Sequence, residues 1–454
     1  MSALALLTGC TIVSSRDNAG QAVQIASRQH APSATWRRSM DDDAVATARI
    51  DQLLRDGLSI EDSVAVAFLA NPDVQLTFEQ LEISRSELVA ASTAPNPIAI
   101  VGSRSPGGNL SSFYPDRTYS VGVLQNVLGL LNLPARRKVA GIELARARLE
   151  TADRLIGLAN DVNEAYLQYA SALHVAELRE QAAADVRGTL ALVTPELEQL
   201  PDGAARLDAE RVSLLGVEAG ALRASLEVAT SRARLSRLLG IAGRNDAWQL
   251  ADRVPPPPAT EPDAAGLERD ALTGRLDLQA ARRALDARLA AAAVQKRWRW
   301  LGAPEGGAFR EGASGGPTFT GPNVLLELPL FDQRQAQILR TDAEARTALR
   351  RLELLFQTAR AEIRTRAAEL TVARQLLTRY DQELLPALRR VQQAQGPDTL
   401  NGRRAGLSVL SAEEERAGLL RDYWRARGAL ARAAGAWEAM PDWPKVTRAG
   451  AAPP

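Results

Sequence analysis

Apolar residues recur in alternating steps of three and four along two long stretches of the chain. This spacing forms the apolar seam of a coiled coil, so it predicts two long helices. A helix over about residues 135–194 would be roughly 90 Å long at 1.5 Å per residue, which exceeds the diameter of a compact domain. The second seam is interrupted only by Arg366. The seam positions are Ala152, Leu155, Ala159, Val162, Tyr166, Tyr169, Leu173 and Ala176 in the first stretch, and Leu349, Leu352, Phe356, Ala359, Ile363, Leu370, Ala373, Leu377, Tyr380, Leu384, Ala387 and Val391 in the second.

A shorter apolar seam follows each long helix, and each pair predicts an antiparallel helical hairpin. Proline and glycine punctuate both turns. The turn markers are Pro195, Pro201 and Gly203 in the first hairpin, and Gly396, Pro397 and Gly402 in the second. The shorter seams are Val212, Leu215, Ala219, Leu222, Leu226, Ala229 and Ala233, and then Val409, Ala412, Leu419, Tyr423, Ala426, Leu430 and Ala433.

Ahead of each long helix the apolar period changes to alternation, which predicts strands. We predict strands at about 97–104 and 118–128, and at about 297–303 and 318–331. In the third of these, Trp298 and Trp300 would lie on one face and two arginines on the other, which suits the wall of a membrane barrel. The glycine-rich segments between the strands, including Glu305-Gly306-Gly307, predict flexible loops. Soluble hairpins packed on the helices are the alternative.

The chain contains two similar halves. Asn71-Pro72-Asp73-Val74-Gln75 is echoed by Arg275-Leu276-Asp277-Leu278-Gln279, and Leu207-Asp208-Ala209-Glu210 by Leu410-Ser411-Ala412-Glu413. Both pairs are separated by nearly the same number of residues, which indicates a duplication. We predict a first repeat over 58–250, a stiff proline-rich linker over 251–262 and a second repeat over 263–440. The predicted helical hairpins lie at about 135–240 and 333–437, and a tail follows at 441–454.

The beginning of the chain carries a lipidation motif. Leu7-Thr8-Gly9-Cys10 follows a short apolar run and resembles a bacterial lipobox. We expect residues 1–9 to be the end of a signal peptide, and Cys10 to carry the lipid of an anchored N-terminal segment over 10–57. The alternative is that Cys10 is an ordinary small hydrophobe.

Charge and motif content argue against several function classes. Lys+Arg total 55 and Asp+Glu 54, so no bulk positive field recruits nucleic acid. His30 and His174 lie far apart, and no phosphate-binding loop ending in Lys-Ser or Lys-Thr occurs. The run Asp41-Asp42-Asp43 is more typical of a solvated helix N-terminus than of a metal site. We therefore expect no catalytic residues, no cofactor and no metal site.

These features together resemble a lipoprotein member of the TolC-type outer-membrane efflux family over nearly the whole chain. Leu69-Ala70-Asn71-Pro72-Asp73-Val74 is similar to that family's opening-helix motif. Leu328-Pro329-Leu330-Phe331-Asp332 is similar to its junction between strand and helix, and Pro134 is the counterpart of Pro329 in the first half. The resemblance implies a mainly α fold with a membrane β-barrel portion. Duplicated units of helix, β-hairpin and long helical hairpin would build a trimeric β-barrel and an α-helical barrel.

The resemblance also implies a function. The protein would be the passive exit duct of a tripartite efflux pump, lipid-anchored in the outer membrane, with its helical barrel in the periplasm and small molecules or metal ions as cargo. Its partners would be two further copies in a homotrimer, a periplasmic adaptor (membrane fusion) protein, an inner-membrane pump that we expect to be proton-driven, and outer-membrane lipid. An exit duct for type I protein secretion is one alternative. A soluble periplasmic coiled-coil scaffold is an alternative from another class.

Residues 401–412 resemble the tip of the family's second hairpin, which closes the tunnel at its periplasmic end. Ser408 and Ser411 stand where better-known members have two aspartates, so the resemblance does not extend to an acidic ring. Arg404 matches an arginine that latches neighbouring helices, and Asp208 on the first tip is its predicted partner. The alternative is that both are solvated charges worth under about 1 kcal/mol.

Overall fold

The computed structural model describes residues 15–29, 31–55, 57–105, 117–244, 248–251, 253–302, 304–396 and 399–436. The chain divides into two compact units, and each predicted repeat contributes residues to both. The helical unit comprises Met1–Glu79, Glu150–Leu276 and Phe356–Pro454, and the sheet unit comprises Gln80–Leu149 and Asp277–Leu355. Cys10, His30, Pro397 and the predicted tail at 441–454 lie outside the described residues.

Four helices open the described chain: α1 (Ser15–Ser27), α2 (Met40–Arg55), α3 (Ile60–Ala70) and α4 (Pro72–Ser92). Asn71 lies between α3 and α4, where it ends the first helix and caps the second. Its side-chain oxygen accepts from the backbone N–H of Asp73 at 2.8 Å, which caps α4. Its amide nitrogen donates to the carbonyl of Leu238 at 2.7 Å. The opening-helix motif therefore ties this helical break to a distant part of the helical unit.

The sheet unit contains one antiparallel sheet of β1 (Ile98–Arg104), β2 (Thr118–Asn126), β3 (Glu305–Ala313) and β4 (Thr318–Leu325), in that order. The central pair, β2 and β3, joins the two repeats. Val101 pairs with Val121 in the register of β1 and β2, so these valines share a face. Both are exposed, as is Val123 two residues further on. The predicted alternation therefore holds in β1 and β2.

The predicted strand at 297–303 is wrong. Helix α9 (Leu276–Arg297) continues to Arg297, a turn occupies 298–300, and β3 begins only at Glu305. The alanine-rich sequence before Arg297 favours helix, and the two arginines lie over the tryptophan rings instead of on the opposite face of a strand.

The loop prediction at Glu305-Gly306-Gly307 is also wrong, since these residues start β3. A side chain at Gly307 would lie 1.7 Å from the carbonyl oxygen of Val123, so glycine permits the close pairing of strands there. The last strand is shorter than predicted because β4 ends at Leu325, four residues before Pro329.

After each β-hairpin the chain forms a long helical hairpin. The first consists of α5 (Val127–Leu131), α6 (Leu133–Leu197) and α7 (Gly203–Leu239), and α6 alone has 65 residues. The second repeat begins with α8 (Ala264–Gly274) and α9. Its hairpin consists of α10 (Gln335–Arg379), a π-helical turn (Tyr380–Leu384), α11 (Leu385–Gln395) and α12 (Leu400–Ala433). Each repeat thus runs from two helices through two strands to a long helical hairpin.

The π-helical turn shifts the apolar seam of the second hairpin by one residue. The steps of three and four predict Leu377 and then Leu384 as buried positions. Leu377 is buried, but Leu384 is exposed and its neighbour Leu385 is buried instead. A π turn holds one more residue than an α turn, so every later seam position moves by one.

The predicted seam of α7 is also not buried within the chain. Val212, Leu215, Leu222 and Leu226 are between 64% and 71% exposed. The seam of the long helices, in contrast, reaches the core. Ile363, Leu370 and Leu377 of α10 pack in one cluster with Tyr423 and Trp424 of α12.

Candidate functional site

The tip of the second hairpin is built by two turn residues. Gly396 has a φ of 79° and ends α11, a backbone conformation that glycine adopts readily. Thr399 then caps α12, because its hydroxyl accepts from the backbone N–H of Gly402 at 3.0 Å. Gly402 therefore lies in the first turn of α12 and not in the connecting loop. Arg404, Ser408 and Ser411 follow along this helix.

Arg404 forms an ion pair with Glu210 of α7, and not with Asp208 as predicted. Asp208 pairs instead with Arg211 on its own helix at 3.2 Å. Two helical residues apart is about 200° around the axis, so Asp208 and Glu210 point to opposite sides of α7. The Glu210 side chain is 22% exposed and that of Asp208 72%, which agrees with this geometry. The contact between the two tips therefore exists with a different carboxylate.

Arg404 and Ser408 line the same surface groove between α11 and α12. Its volume is about 350 Å³, and Leu388, Val391 and Gln395 form its α11 side. Ser411 lies further along α12, is exposed, and does not line this groove. The serines place neutral hydroxyls where carboxylates would attract cations. Arg404 is thus the charged residue of this groove.

Close to the tip, further ion pairs hold α12 to its neighbours. Glu414 pairs with Arg179 of α6, and Glu413 pairs with Arg389 of α11, each at 2.7 Å. Arg416 binds both oxygens of Asp381 in the π-helical turn, with the longer contact at 3.3 Å. Sequence reasoning missed these pairs, because their members are far apart in the chain and carry no motif. Partly exposed pairs of this kind contribute about 0–1 kcal/mol each, and a network more.

A second polar cluster in the helical unit surrounds Glu261, just after the proline-rich segment. The buried Tyr423 hydroxyl donates to one oxygen of Glu261 at 2.7 Å, and Arg427 lies 3.3 Å from the other. Arg374 of α10 also pairs with Glu261 at 3.5 Å. Burial, and then the hydrogen bond to Glu261, raise the pKa of Tyr423 to about 12. The phenol is therefore held neutral as a donor.

The proline-rich segment is more than the extended spacer that its composition predicted. Its backbone carbonyls accept hydrogen bonds from the helical unit: Trp424 donates to Pro255 and Arg374 to Pro258, each at 2.8 Å. Proline lacks a backbone donor but keeps its carbonyl, so the segment binds as an acceptor. The segment is thus fixed against α10 and α12.

The remaining predicted residues lie in the sheet unit. Pro134 is the second residue of α6, after the short helix α5 that separates it from β2. Pro329 lies in the irregular segment between β4 and α10. Trp300 is exposed and Trp298 half-buried in the turn after α9. Pro134 therefore lies at the start of a helix, and Pro329 lies between a strand and a helix.

The described residues hold neither a metal-binding cluster nor a helix that could span a membrane. No group of three or more His, Cys, Asp or Glu side chains in this part of the chain is arranged to hold a metal ion. Among the same residues, no helix has the length and apolar character needed to cross a membrane.

Comparison with solved structures identifies the fold. CusC, described in terms of folding and transmembrane channel formation, has a TM-score of 0.67 and 16% identity, over 83% of this chain and 92% of that one. The open-state MtrE outer membrane channel of Neisseria gonorrhoeae has a TM-score of 0.65 and 16% identity, over 83% and 89%. The CmeC outer membrane channel of Campylobacter jejuni has a TM-score of 0.66 and 14% identity, over 85% and 88%. No family model and no curated protein matches the chain by sequence.

The protein therefore has the fold of these outer-membrane channels. The mainly helical architecture with a small β portion, which the resemblance to the TolC-type efflux family implied, is confirmed. The four-stranded sheet is not closed on itself within one chain.

Proposed function

We propose that this protein is the outer-membrane exit duct of a tripartite efflux pump, and that it works as a homotrimer. It would conduct small molecules or metal ions passively. A proton-driven inner-membrane pump would supply the energy, and a periplasmic adaptor would connect the pump to the duct. The fold shared with CusC, MtrE and CmeC supports this function. The observation that carries the proposal is the open sheet.

The sheet presents two edge strands, β1 and β4, and an apolar face. Val101 is 79% exposed, and Val121 and Val123 on the same face are also exposed. An open edge beside an apolar face invites aggregation in water, and joining edge to edge with other copies removes it. A lipid environment would at the same time cover the valines. Both requirements are met if three copies close one barrel in the membrane.

The apolar row on α7 supports the same assembly. Val212, Leu215, Leu222 and Leu226 follow coiled-coil spacing and stay exposed in the single chain. Such a seam is stable when a second helix covers it. In a homotrimer the neighbouring copy would supply that helix, and the helical portions would then form a continuous wall.

The sheet argues against a soluble coiled-coil scaffold, because an exposed valine face favours aggregation in water.

We also propose that Cys10 carries the lipid anchor, on the grounds of the Leu7-Thr8-Gly9-Cys10 motif. Cys10→Ser should abolish incorporation of labelled palmitate. Labelling that persists in this variant would show that the motif is not a lipobox.

The efflux function is tested in cells. Deletion of the gene should raise accumulation of a fluorescent cationic dye, and the wild-type chain should restore export and fractionate with the outer membrane. A soluble location, or unchanged dye accumulation with a panel of chemically different compounds, would contradict the proposal. Expression of the chain without its partner pump should not restore export, since the duct supplies no energy of its own.

A further inference from the structure

One end of the sheet carries a surface that differs from the rest of the sheet unit. Asn126, Glu305 and Leu325 pair in a single row, which is the last row of the sheet. Just beyond this row the chain forms three segments: α5 (Val127–Leu131), the turn at 298–302 and the irregular stretch at 326–331. We call these three segments the basal collar.

The collar is held together by backbone contacts. The N–H of Val127 donates to the carbonyl of Pro304 at 3.0 Å, which joins α5 to the chain after the turn. The N–H of Leu301 donates to Trp298 at 3.1 Å and closes the turn itself. A side chain at Gly302 would lie 2.3 Å from the carbonyl oxygen of Glu327, so the turn packs directly on the 326–331 stretch. The collar is therefore one surface.

Large apolar side chains project from all three segments. Phe331 is 90% exposed and Trp300 64%, while Leu131, Leu328 and Leu330 are more than half exposed. Apolar groups so concentrated at one level are costly in water, and monomeric soluble proteins rarely carry such patches. At the opposite end, the described turn between β3 and β4 runs through Ser314, Gly315 and Gly316, and Tyr119 and Phe319 are exposed near it.

Basic groups accompany these apolar ones. Lys296, Arg297 and Arg299 lie within five consecutive residues that contain no acidic residue. Arg297 lies 5.1 Å from the centre of the Trp298 ring, and Arg299 lies 4.5 Å from that of Trp300. Lys296 pairs with Asp342 at 2.8 Å, but neither arginine has an ion-pair partner among the described residues. The guanidinium groups are thus exposed and available to an anion.

Resting on the proposed outer-membrane location, we propose that the basal collar binds anionic phospholipid at the membrane surface. Trp300, Phe331 and the leucines would enter the boundary between headgroups and acyl chains, where amphipathic aromatic rings are favoured. Arg297 and Arg299 would then meet the phosphate groups, for which the planar guanidinium is well matched. Glu327 is the acidic residue of the 326–331 stretch and would repel anionic headgroups there. Anionic lipid would therefore be attracted most strongly at the turn that carries the tryptophans. The collar would set the depth of the sheet in the bilayer and select anionic over zwitterionic lipid.

The experiment uses the full-length protein reconstituted into bilayers that contain lipid brominated near the carbonyl end of its chains. Bromine quenches tryptophan fluorescence at contact. The difference between wild type and Trp300→Phe isolates the signal of Trp300. We expect this signal to be quenched more by brominated phosphatidylglycerol than by brominated phosphatidylcholine. Arg297→Gln/Arg299→Gln should reduce the preference for the anionic lipid, on the order of fivefold per arginine removed.

The matched control is Arg206→Gln/Arg211→Gln, which removes the same charge from exposed positions on α7. This control should keep the lipid preference of wild type. Equal quenching by both lipids in the wild type, or a preference that survives in Arg297→Gln/Arg299→Gln, would overturn the headgroup selection. An unquenched Trp300 would overturn the collar altogether. Ion conductance measured on the same bilayers separates the two ideas, since a conducting protein with an unquenched Trp300 refutes the collar and leaves the proposed duct intact.

Discussion

Asn71 and Arg275 hold equivalent positions in the two repeats, and each donates a side-chain hydrogen bond to the last turn of its own helical hairpin. Asn71 lies between α3 and α4 and donates to the carbonyl of Leu238 at 2.7 Å. Arg275 lies between α8 and α9 and donates to the carbonyl of Ala433, also at 2.7 Å. Gly240 and Gly435, both with positive φ, end the two hairpins beside these residues. The two repeats thus share this hydrogen bond, although the donor is a different residue type in each.

This relationship predicts the effect of removing the donor. Asn71→Ala should lower the free energy of unfolding by roughly 1–3 kcal/mol, because the Leu238 carbonyl loses its partner and α4 loses its cap. Thermal melting in detergent would measure the loss. Ser225→Ala is the control, since its exposed hydroxyl bonds only within α7 at 2.8 Å. Equal melting temperatures for Asn71→Ala and wild type would show that the contact does not support the hairpin.

The order of elements was predictable from the sequence, and several of their details were not. Apolar period alone distinguished the long helices from β1 and β2, since each periodicity fits one backbone geometry. It failed at Leu384, because a π-helical turn leaves no local sign in the spacing. It also failed at Trp298 and Trp300, where alternation over four residues is too short to distinguish a strand from a helix end. The prediction of Asp208 as the partner of Arg404 rested on alignment of the repeats, which does not show which side of a helix a residue faces.

The tip contact predicts a specific pattern of mutational effects on gating. If separation of the tips opens the duct, Arg404→Ser and Glu210→Gln should each raise the open population about twofold to fivefold, as expected for an exposed pair worth under about 1 kcal/mol. The double variant should add little to either single one. Asp208→Asn is the matched control and should behave as wild type. Single-channel recording measures all four, and an effect of Asp208→Asn equal to that of Glu210→Gln would refute the assigned pair.

The serines at the tip predict weak sensitivity to cations. Ser408 and Ser411 offer neutral hydroxyls, which are poor ligands for divalent ions compared with carboxylates. Millimolar divalent cations should therefore reduce conductance only slightly. Ser408→Asp/Ser411→Asp should introduce a strong block under the same conditions. Strong block of the wild-type channel would mean that another acidic site controls the tip.

The exposed apolar row on α7 predicts that this surface is needed for the chains to assemble into a trimer. Leu222→Glu should weaken the oligomer, because a charge buried in an apolar seam costs several kcal/mol without a partner. Ser213→Glu, an exposed position on the opposite side of α7, should leave it intact. Light scattering of the purified proteins in detergent distinguishes the two. A trimer that tolerates Leu222→Glu as well as Ser213→Glu would remove α7 from the interface.

Alkaline pH should destabilise the helical unit through Tyr423. Its pKa is raised to about 12 in the folded chain, while the unfolded chain releases the phenol proton near the ordinary value of 10. The stabilisation is therefore fully present below about pH 10 and is lost as the pH rises towards about 12. Tyr423→Phe should abolish this part of the decline, on the order of 1–2 kcal/mol. Melting temperatures of both proteins from pH 8 to 12 test it, and parallel curves would contradict the assignment.

The central claim is that three copies of this chain enclose a water-filled path through the outer membrane. Electrical recording of the purified wild-type oligomer in planar lipid bilayers tests this most directly. We predict discrete ohmic conductance steps, with a larger open fraction in Arg404→Ser. An oligomer that inserts into the bilayer but passes no current, in wild type and in Arg404→Ser alike, would contradict the account.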